Sequence, residues 1–387
     1  MKTISYKLTV GNWSVSSADD PKTELVALDT LLSLDSPGDY GRITVYALPP
    51  PPAGLLEQAV GAAVSAASSA LGLGGGTEEE AFTVQIRGQS VKLGNQMTIE
   101  LAVDDQSAMV LTADILAVQS TFGQTTITAR TGMQKLAMSR INQIYQNQSL
   151  SQIIQDLCRQ AEVDTGTVDS GSTYPYLVVH ESKNLLRTIR ELAAREGMDV
   201  YFDTENALTV HKFTKTEADH TLYYGIDLLD MEMSNWQPPA EHLLVYGESP
   251  ASNQGSDTWH WLVKDISPFR SEVGQGAKTL ALQDGALRTK DAADAAATAK
   301  FGAMQDHAAL GRLKILGKPT LKVGDAIALK NVPKPEMNGL FKVISVRHVY
   351  NKREGYVTYL GFSGQGGAAQ AEGLLGQLGG ALGALGL

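Results

Sequence analysis

The sequence predicts an α+β protein, mainly β, in which two small β-barrel domains flank a helix–helix–hairpin α/β element. Three observations carry this expectation. Apolar and polar residues alternate over residues 4–133 and again over 220–362, the period of half-buried strands. Between those stretches, residues 149–196 change to helical spacing. Turn signals rich in Gly, Pro, Asn and Asp separate the alternating runs at near-regular intervals, as in small barrels and sandwiches. The expected division is a first β-barrel domain over 1–148 with a Pro/Gly/Ala-rich insertion at 49–79, and an α/β element over 149–212. A second β-barrel domain over 213–362 follows, with an Ala-rich helix near 288–305, and then a Gly/Ala/Leu-rich tail over 363–387.

In the first domain, Ile4, Tyr6, Leu8 and Val10 alternate strictly. Leu25, Ala27 and Leu34 continue the apolar spacing, and Ser36-Pro37-Gly38-Asp39 reads as a turn. Ile43, Val45 and Ala47 form a strand that the prolines Pro49 to Pro52 cut off. Ala53 to Gly76 is Ala/Gly/Leu/Ser with one charge, Glu57. We read it as an insertion in a β-hairpin, in preference to a helix packing on a partner or a membrane span, because Ala, Gly and Ser give little transfer energy. Gly72-Leu73-Gly74-Gly75-Gly76 is no phosphate loop: no strand precedes it, and Glu78, Glu79 and Glu80 follow. Alternation resumes at Phe82, Val84 and Ile86, then at Met97, Ile99, Leu101 and Val103, ending at Asp104-Asp105. Met109, Leu111, Ala113, Ile115 and Val118 follow, then Ile127, Ala129 and Met133.

The α/β element opens on Ser149 and Gln152, a capping box. Leu150, Ile153, Ile154, Leu157, Cys158 and Ala161 then share one helical face. A polar connector, Thr165 to Thr173, breaks the pattern. Ser182 is the expected cap of a second helix, with Leu185, Leu186, Ile189, Leu192 and Ala193 inward and a Glu191–Arg195 pair outside. Gly197 stands where a left-handed residue ends the helix. Val200 and Phe202, then Leu208 and Val210, form a hairpin around Thr204-Glu205-Asn206.

In the second domain, Leu222, Tyr224 and Ile226 alternate, as do His242, Leu244 and Tyr246 before a polar loop, Gly247 to Gly255. Trp259 and Trp261 flank His260 on an expected strand. Arg288 to Gln305 reads as a helix with Ala292, Ala296, Ala299 and Ala303 in its packed face. The last β unit runs from Leu310 to Phe362. In the tail, Gly373 to Leu382 partly repeats Gly54 to Ala63, and both low-charge segments are expected to serve assembly rather than folding.

Composition excludes several function classes. The 387 residues call for two or three domains, and a hydrophobic content of 43% supports real cores. The formal charge of −10 argues against a dedicated nucleic-acid binder and against an anionic membrane surface as partner. A single cysteine, Cys158, excludes an internal disulfide framework and a cysteine zinc cluster, and its place on an apolar helical face marks it as a core residue. Met1-Lys2-Thr3-Ile4-Ser5 lacks an apolar run, so no Sec-type signal is expected.

No residue set for catalysis, cofactor binding or metal binding is predicted. His180-Glu181 lacks a second helical histidine and sits beside an extended Pro175–Val179 stretch. His211 and His348 fall on strands, as solvent-facing or satisfied histidines. Asp104-Asp105 and Asp227/Asp230 fit turn and cap roles. Trp259 and Trp261 share one strand face and are read as buried against a neighbouring domain rather than as a sugar platform.

The order SLSQIIQDLCRQAEV followed by ESKNLLRTIRELAAREGMDVYFDTENALTVHKF resembles the middle of the late control protein D family. That family holds the tail-hub proteins of contractile phages and the hub part of type VI secretion spike proteins. LGNQMTIELAVDDQSAMVLTADILAVQSTFGQTTITARTGMQKLA is similar to its first barrel, with Leu111-Thr112-Ala113 standing where Phe-x-Gly is usual. Its closing pattern is met by Gly317, Pro319, Leu321, Gly324, Asp325, Gly339, Phe341, Val343, His348, Gly355, Tyr356 and Thr358. The resemblance spans about Ile43 to Phe362. It implies a non-enzymatic baseplate hub of a contractile injection system or phage tail, without cofactors. The implied form is a homotrimeric ring of six barrels joining a sixfold inner tube to a threefold spike. The implied partners are a separate spike protein, the inner tube or a tube-initiator protein, and baseplate wedge proteins, with no specific nucleic acid and no membrane span. Assembly is expected in the bacterial cytoplasm, within a contractile particle that is a virion or is released from the cell. The competing reading is a cell-wall-targeting β-rich hydrolase or carbohydrate-binding protein, resting on Trp259 and Trp261.

Overall fold

The structure, a computed structural model, describes residues 3–11, 13–17, 25–34, 38–46, 83–86, 89–247, 270–307 and 309–364. The insertion read at 53–76, the Trp259-His260-Trp261 strand and nearly all of the tail lie outside the described residues.

Strand accounts for 52% and helix for 17% of the described residues, which are mainly β. The first β unit holds β1 (Ile4–Val10), β2 (Trp13–Ser16), β3 (Leu25–Ser33), β4 (Tyr40–Tyr46), β5 (Thr83–Ile86), β6 (Gln89–Lys92), β7 (Gln96–Val103), β8 (Gln106–Ser120) and β9 (Gln124–Arg130). Helix α1 (Met133–Met138) leads into β10 (Gln143–Ser149), α2 (Leu150–Gln160), β11 (Thr165–Val168) and β12 (Thr173–Val179). Then come α3 (Leu185–Arg195), β13 (Asp199–Phe202) and β14 (Leu208–His211). The last part holds β15 (His220–Tyr223), β16 (Leu228–Asn235), β17 (His242–Tyr246), β18 (Arg270–Gly274), β19 (Thr279–Gln283), α4 (Lys290–Asp306), β20 (Ala309–Leu316), β21 (Ala326–Lys330), β22 (Gly339–Asn351) and β23 (Gly355–Ser363).

One 13-stranded sheet runs through both β units in the order β16-β20-β23-β22-β3-β4-β9-β8-β7-β1-β2, with β21 on β22 and β15 on β21. The seam is the antiparallel pair β3–β22, where Leu32 faces Val346 and Thr30 faces His348. Both units also fill one apolar core, with Leu8, Ile43 and Ile99 from the first and Phe341, Leu360 and Phe362 from the second. The alternation read from sequence is met on β7, where Met97, Ile99 and Leu101 are buried. On β20, Gly311 lies against the Phe362 ring, and a Cβ there would fall inside it.

The α/β element has its own core, built from α2, α3 and two small sheets, β10-β12 and β11-β14-β13. Ser149 caps α2 in a full capping box with Gln152, and Leu150, Ile153, Ile154, Leu157 and Cys158 are buried. Gly197 ends α3 at φ +70°. The expected cap Ser182 is corrected: Asn184 caps α3, its Oδ1 accepting the Arg187 N–H at 2.9 Å. The Ser182 N–H is instead taken by His180 Nδ1 at 3.0 Å. The expected Glu191–Arg195 pair is corrected too. Glu191 accepts from Lys183 and Arg187, and Arg195 reaches across to Asp284. The Thr165–Thr173 connector contains β11, which pairs parallel to β14. The sequence patterns do not foretell helix α1 and strand β10.

Strands β17–β19 and α4 form a further unit between β16 and β20, with a core of Ala240, Leu243, Val245, Leu287, Ala296, Ala297 and Met304. Here the face is inverted relative to expectation: Leu243 and Val245 are buried, while His242, Leu244 and Tyr246 stand on the other side. Helix α4 packs through Ala293, Ala296, Ala297 and Met304, so Ala303 faces out.

Candidate functional site

The residues singled out for chemistry resolve into structural roles. Cys158 is buried in the α2 face, and burial pushes its thiol up to about 12. His211 Nδ1 lies 3.2 Å from Asp169. His348 is buried, and its Nδ1 lies 2.8 Å from the Tyr356 hydroxyl and 3.1 Å from Thr358 Oγ1. Burial holds that imidazole down at about 3. Asp104, at φ +53°, turns β7 into β8 and accepts the Thr3 N–H. Asp227 accepts the Tyr223 N–H across the β15–β16 turn, and Asp230 accepts the N–H of Met231. No group of three or more metal-ligating side chains clusters among the described residues, and no helix among them is long and apolar enough to cross a membrane.

A groove of about 930 Å³ lies on the outer face of β16, β20, β23, β22 and β3. Its floor follows from register. Leu31 faces Arg347, Arg347 faces Tyr359, Tyr359 faces Lys314, and Lys314 faces Asp230. The row continues on the other side of Leu31 through Tyr40 and Arg130, so it crosses the seam between the two β units. Alternate residues of a strand share a face, so all these side chains project away from the core.

Cations and aromatic rings are interleaved along this row. Lys314 and Arg347 stand 5.5 and 5.6 Å from the centroid of the same Tyr359 ring, and Arg130 stands 5.7 Å from that of Tyr40. Arg347 also makes a bidentate pair with Asp29, at 2.8 and 2.7 Å, which holds its guanidinium well above the usual range. One strand-step along, Arg312 faces Gly361 and Glu232. Trp236, 67% exposed, closes one end of the groove. Tyr, Trp and Arg in a concavity are the residue types that carry most energy in protein–protein contacts. Sequence reading missed this floor. Arg312, Lys314, Arg347 and Tyr359 occupy the polar positions of alternating strands, which sequence alone assigns to solvent, and only the cross-strand register joins them.

No protein-family model matches the sequence, and no curated protein does. Solved structures do. A 43 kDa prophage tail protein from Shewanella oneidensis superposes with a TM-score of 0.62 at 12% identity, covering 92% of this chain and 98% of that one. A tail protein from Neisseria meningitidis gives 0.61 at 9% identity, covering 93% and 96%. A component of the type VI secretion system of E. coli, structurally similar to bacteriophage T4 tail proteins, gives 0.52 at 10% identity, covering 92% and 76%. These likenesses agree with the resemblance read at residues 149–212 and 317–358. The chain has the fold of phage tail proteins, from its first β unit to its last.

Proposed function

We propose that this chain is a structural hub of a phage tail or related contractile particle, a homotrimer that joins an inner tube to a spike protein. The observation that supports it most is the end-to-end likeness to two tail proteins, each covered over 96% or more of its own length. Each chain would supply two barrel-like halves of the 13-stranded sheet, and three chains would supply six such halves around a channel. Six similar halves match a sixfold tube, and three chains match a threefold spike. Closed rotational symmetry requires head-to-tail contacts between unlike surfaces, which a chain with two unlike halves provides. Wedge proteins of the baseplate would bind the outside of that ring. Assembly would take place in the bacterial cytoplasm.

The test is mass photometry of the purified chain with and without candidate tube and spike proteins encoded nearby. A trimer that captures both supports the hub; a stable monomer or dimer in the presence of both overturns it. Zymograms and peptidoglycan pull-downs are expected to be blank, and activity in either would favour the hydrolase reading.

A further inference from the structure

We infer that the open edge of β10 takes up an extended, uncharged segment of a partner protein as an added strand, seated between β10 and the outer face of α2. Among the described residues β10 pairs with β12 alone, and no backbone group from Gln143 to Gln148 bonds outside that ladder. A strand paired on one side directs alternate N–H and C=O groups away from its neighbour, and such an open row is matched by another extended backbone. Natural edge strands are usually guarded by proline or charge. The stretch QIYQNQS, residues 143–149, holds neither. Asn147, at φ +51°, interrupts the regular run, so the template is Gln143 to Gln146.

A groove of about 720 Å³ runs along this edge. Its lining comes from β10 on one side and from Gln152, Gln155, Asp156 and Arg159 of α2 on the other, with no residue of β12. Those four stand at i, i+3, i+4 and i+7, a single face of the helix. Tyr145 joins the two sides, its hydroxyl donating to Asp156 Oδ2 at 2.8 Å. Asp156 also accepts from Arg159 and from Gln160 Nε2. The two charges in the lining therefore offset each other. The Gln155 amide and the Gln152 Nε2 remain to bond a neutral guest, the Gln152 Oε1 being held by the Ser149 N–H. On the opposite face of the β10–β12 pair, Ile144 lies directly across from Val178, and they are 53% and 55% exposed. A strand added beside β10 would set alternate side chains on these two faces, one set against Ile144 and the other against the α2 amides. The guest is thus uncharged, apolar at every second position, with Ser, Thr or Asn between. Pairing of β10 with the same edge of a second copy would be isologous and give a two-fold dimer. The choice of a partner over a copy rests on the threefold hub reading.

The experiment is fluorescence anisotropy of the full chain with a capped, fluorescein-labelled peptide, TVTVTVS, as the guest. It should bind with a Kd below about 1 mM and slow amide exchange within residues 143–146 by at least about tenfold. Two N-methylated forms of the peptide separate strand addition from simple adhesion, because alternate N–H groups of an added strand point in opposite directions. Methylation of one alternate set should weaken binding by at least about tenfold, and of the other by less than about twofold. Gln152→Arg/Gln155→Arg, which fills the groove, and a peptide with lysine in place of valine should each weaken binding by at least about tenfold. Gln152 and Gln155 are exposed, so the variant should keep the wild-type urea midpoint. The inference is overturned if no binding is seen up to about 1 mM, if the two methylated forms behave alike, or if the groove-filling variant binds as the wild type does. Mass photometry of the same samples separates the readings. A trimer that ignores the peptide removes the added strand and leaves the hub standing. A dimer that the peptide dissociates assigns the edge to a second copy and removes both.

Discussion

Two buried groups in the fold titrate against each other, and separating them is a sharp test of the core. His348 is 2% exposed, and burial lowers it from 6.5 to about 3. Asp39 is 1% exposed; burial raises it from 3.8 to about 7, only partly offset by the Ser33 N–H at 2.9 Å and by the charges of Arg190 and Arg130. Thr131 also lowers it. For His348 the unfolded chain binds more protons between about pH 3 and 6.5. Its contribution is fully present above 6.5 and is lost as pH falls toward 3. For Asp39 the folded chain binds more protons between about pH 4 and 7, so its contribution is present below 3.8 and is lost as pH rises through 7. Each slope is about 1.4 kcal/mol per pH unit, of opposite sign, and the two windows overlap from about pH 4 to 6.5. Over that range they cancel.

Asp39→Asn keeps an acceptor for the Ser33 N–H and removes one slope. Its stability should then fall by about 3 kcal/mol, relative to wild type, between pH 6.5 and 4. His348→Asn keeps a polar partner for the Tyr356 hydroxyl and should show the reverse, a relative loss of similar size as pH rises from 4 to 6.5. Urea unfolding at pH 4, 5 and 6.5, with circular dichroism as the probe, measures both. Carboxylates held low by ion pairs, such as Asp156 and Glu191, act alike in all three proteins and drop out of the comparison. Parallel pH profiles for wild type and both variants would show that neither group is buried as described.

Further outcomes follow from individual contacts. Ile189 is fully buried in α3, so Ile189→Ala should cost about 2–5 kcal/mol in urea unfolding, and a loss below about 0.5 would remove it from the core. Gly311→Ala drives a methyl into the Phe362 ring and should destabilise by about 1–3 kcal/mol or more, with near-ultraviolet dichroism reporting the displaced aromatic. Ser149→Ala removes the α2 cap and should cost about 0.5–2 kcal/mol, whereas Ser182→Ala, which removes no helix cap, should cost less than about 0.5. Arg195→Lys keeps the charge and loses the two-point grip on Asp284, so hydrogen exchange along residues 185–195 should accelerate without a change in the main sheet.

What the sequence disclosed, and what it hid, divides along the range of the interaction. Ser149 with Gln152, Gly197, and the apolar faces of α2 and α3 are signals within one or two helical turns, and all are met. The second cap slipped from Ser182 to Asn184 because two good caps stand two residues apart, and His180 engages the first. The β17 face was inverted because Leu243, Leu244 and Val245 are consecutive apolar residues, so alternation carries no parity there. Glu191 had three cations in reach, and Lys183 and Arg187 won it. The groove was hidden for a different reason. Its floor depends on Arg347 meeting Leu31, a pairing between residues more than 300 apart, and no local pattern encodes that register.

That same pairing decides which parts of the molecule can move. Shifting one β unit against the other would require breaking the β3–β22 ladder and opening a shared core, which is the most protected kind of structure in a protein. The two units therefore act as one rigid body. The α/β element is attached differently. Arg190 reaches the Leu34 carbonyl at 3.1 Å, Lys342 pairs with Asp199 at 3.0 Å, and Arg195 pairs with Asp284 at 2.7 Å. Tyr201 adds a partly buried apolar contact against the main core. Polar joints of this kind exchange with water at modest cost, unlike a continuous ladder. Any rearrangement during assembly thus concentrates at the joint between sheet and α/β element, where the Gly132 N–H also donates to Asn206 Oδ1 at 2.8 Å.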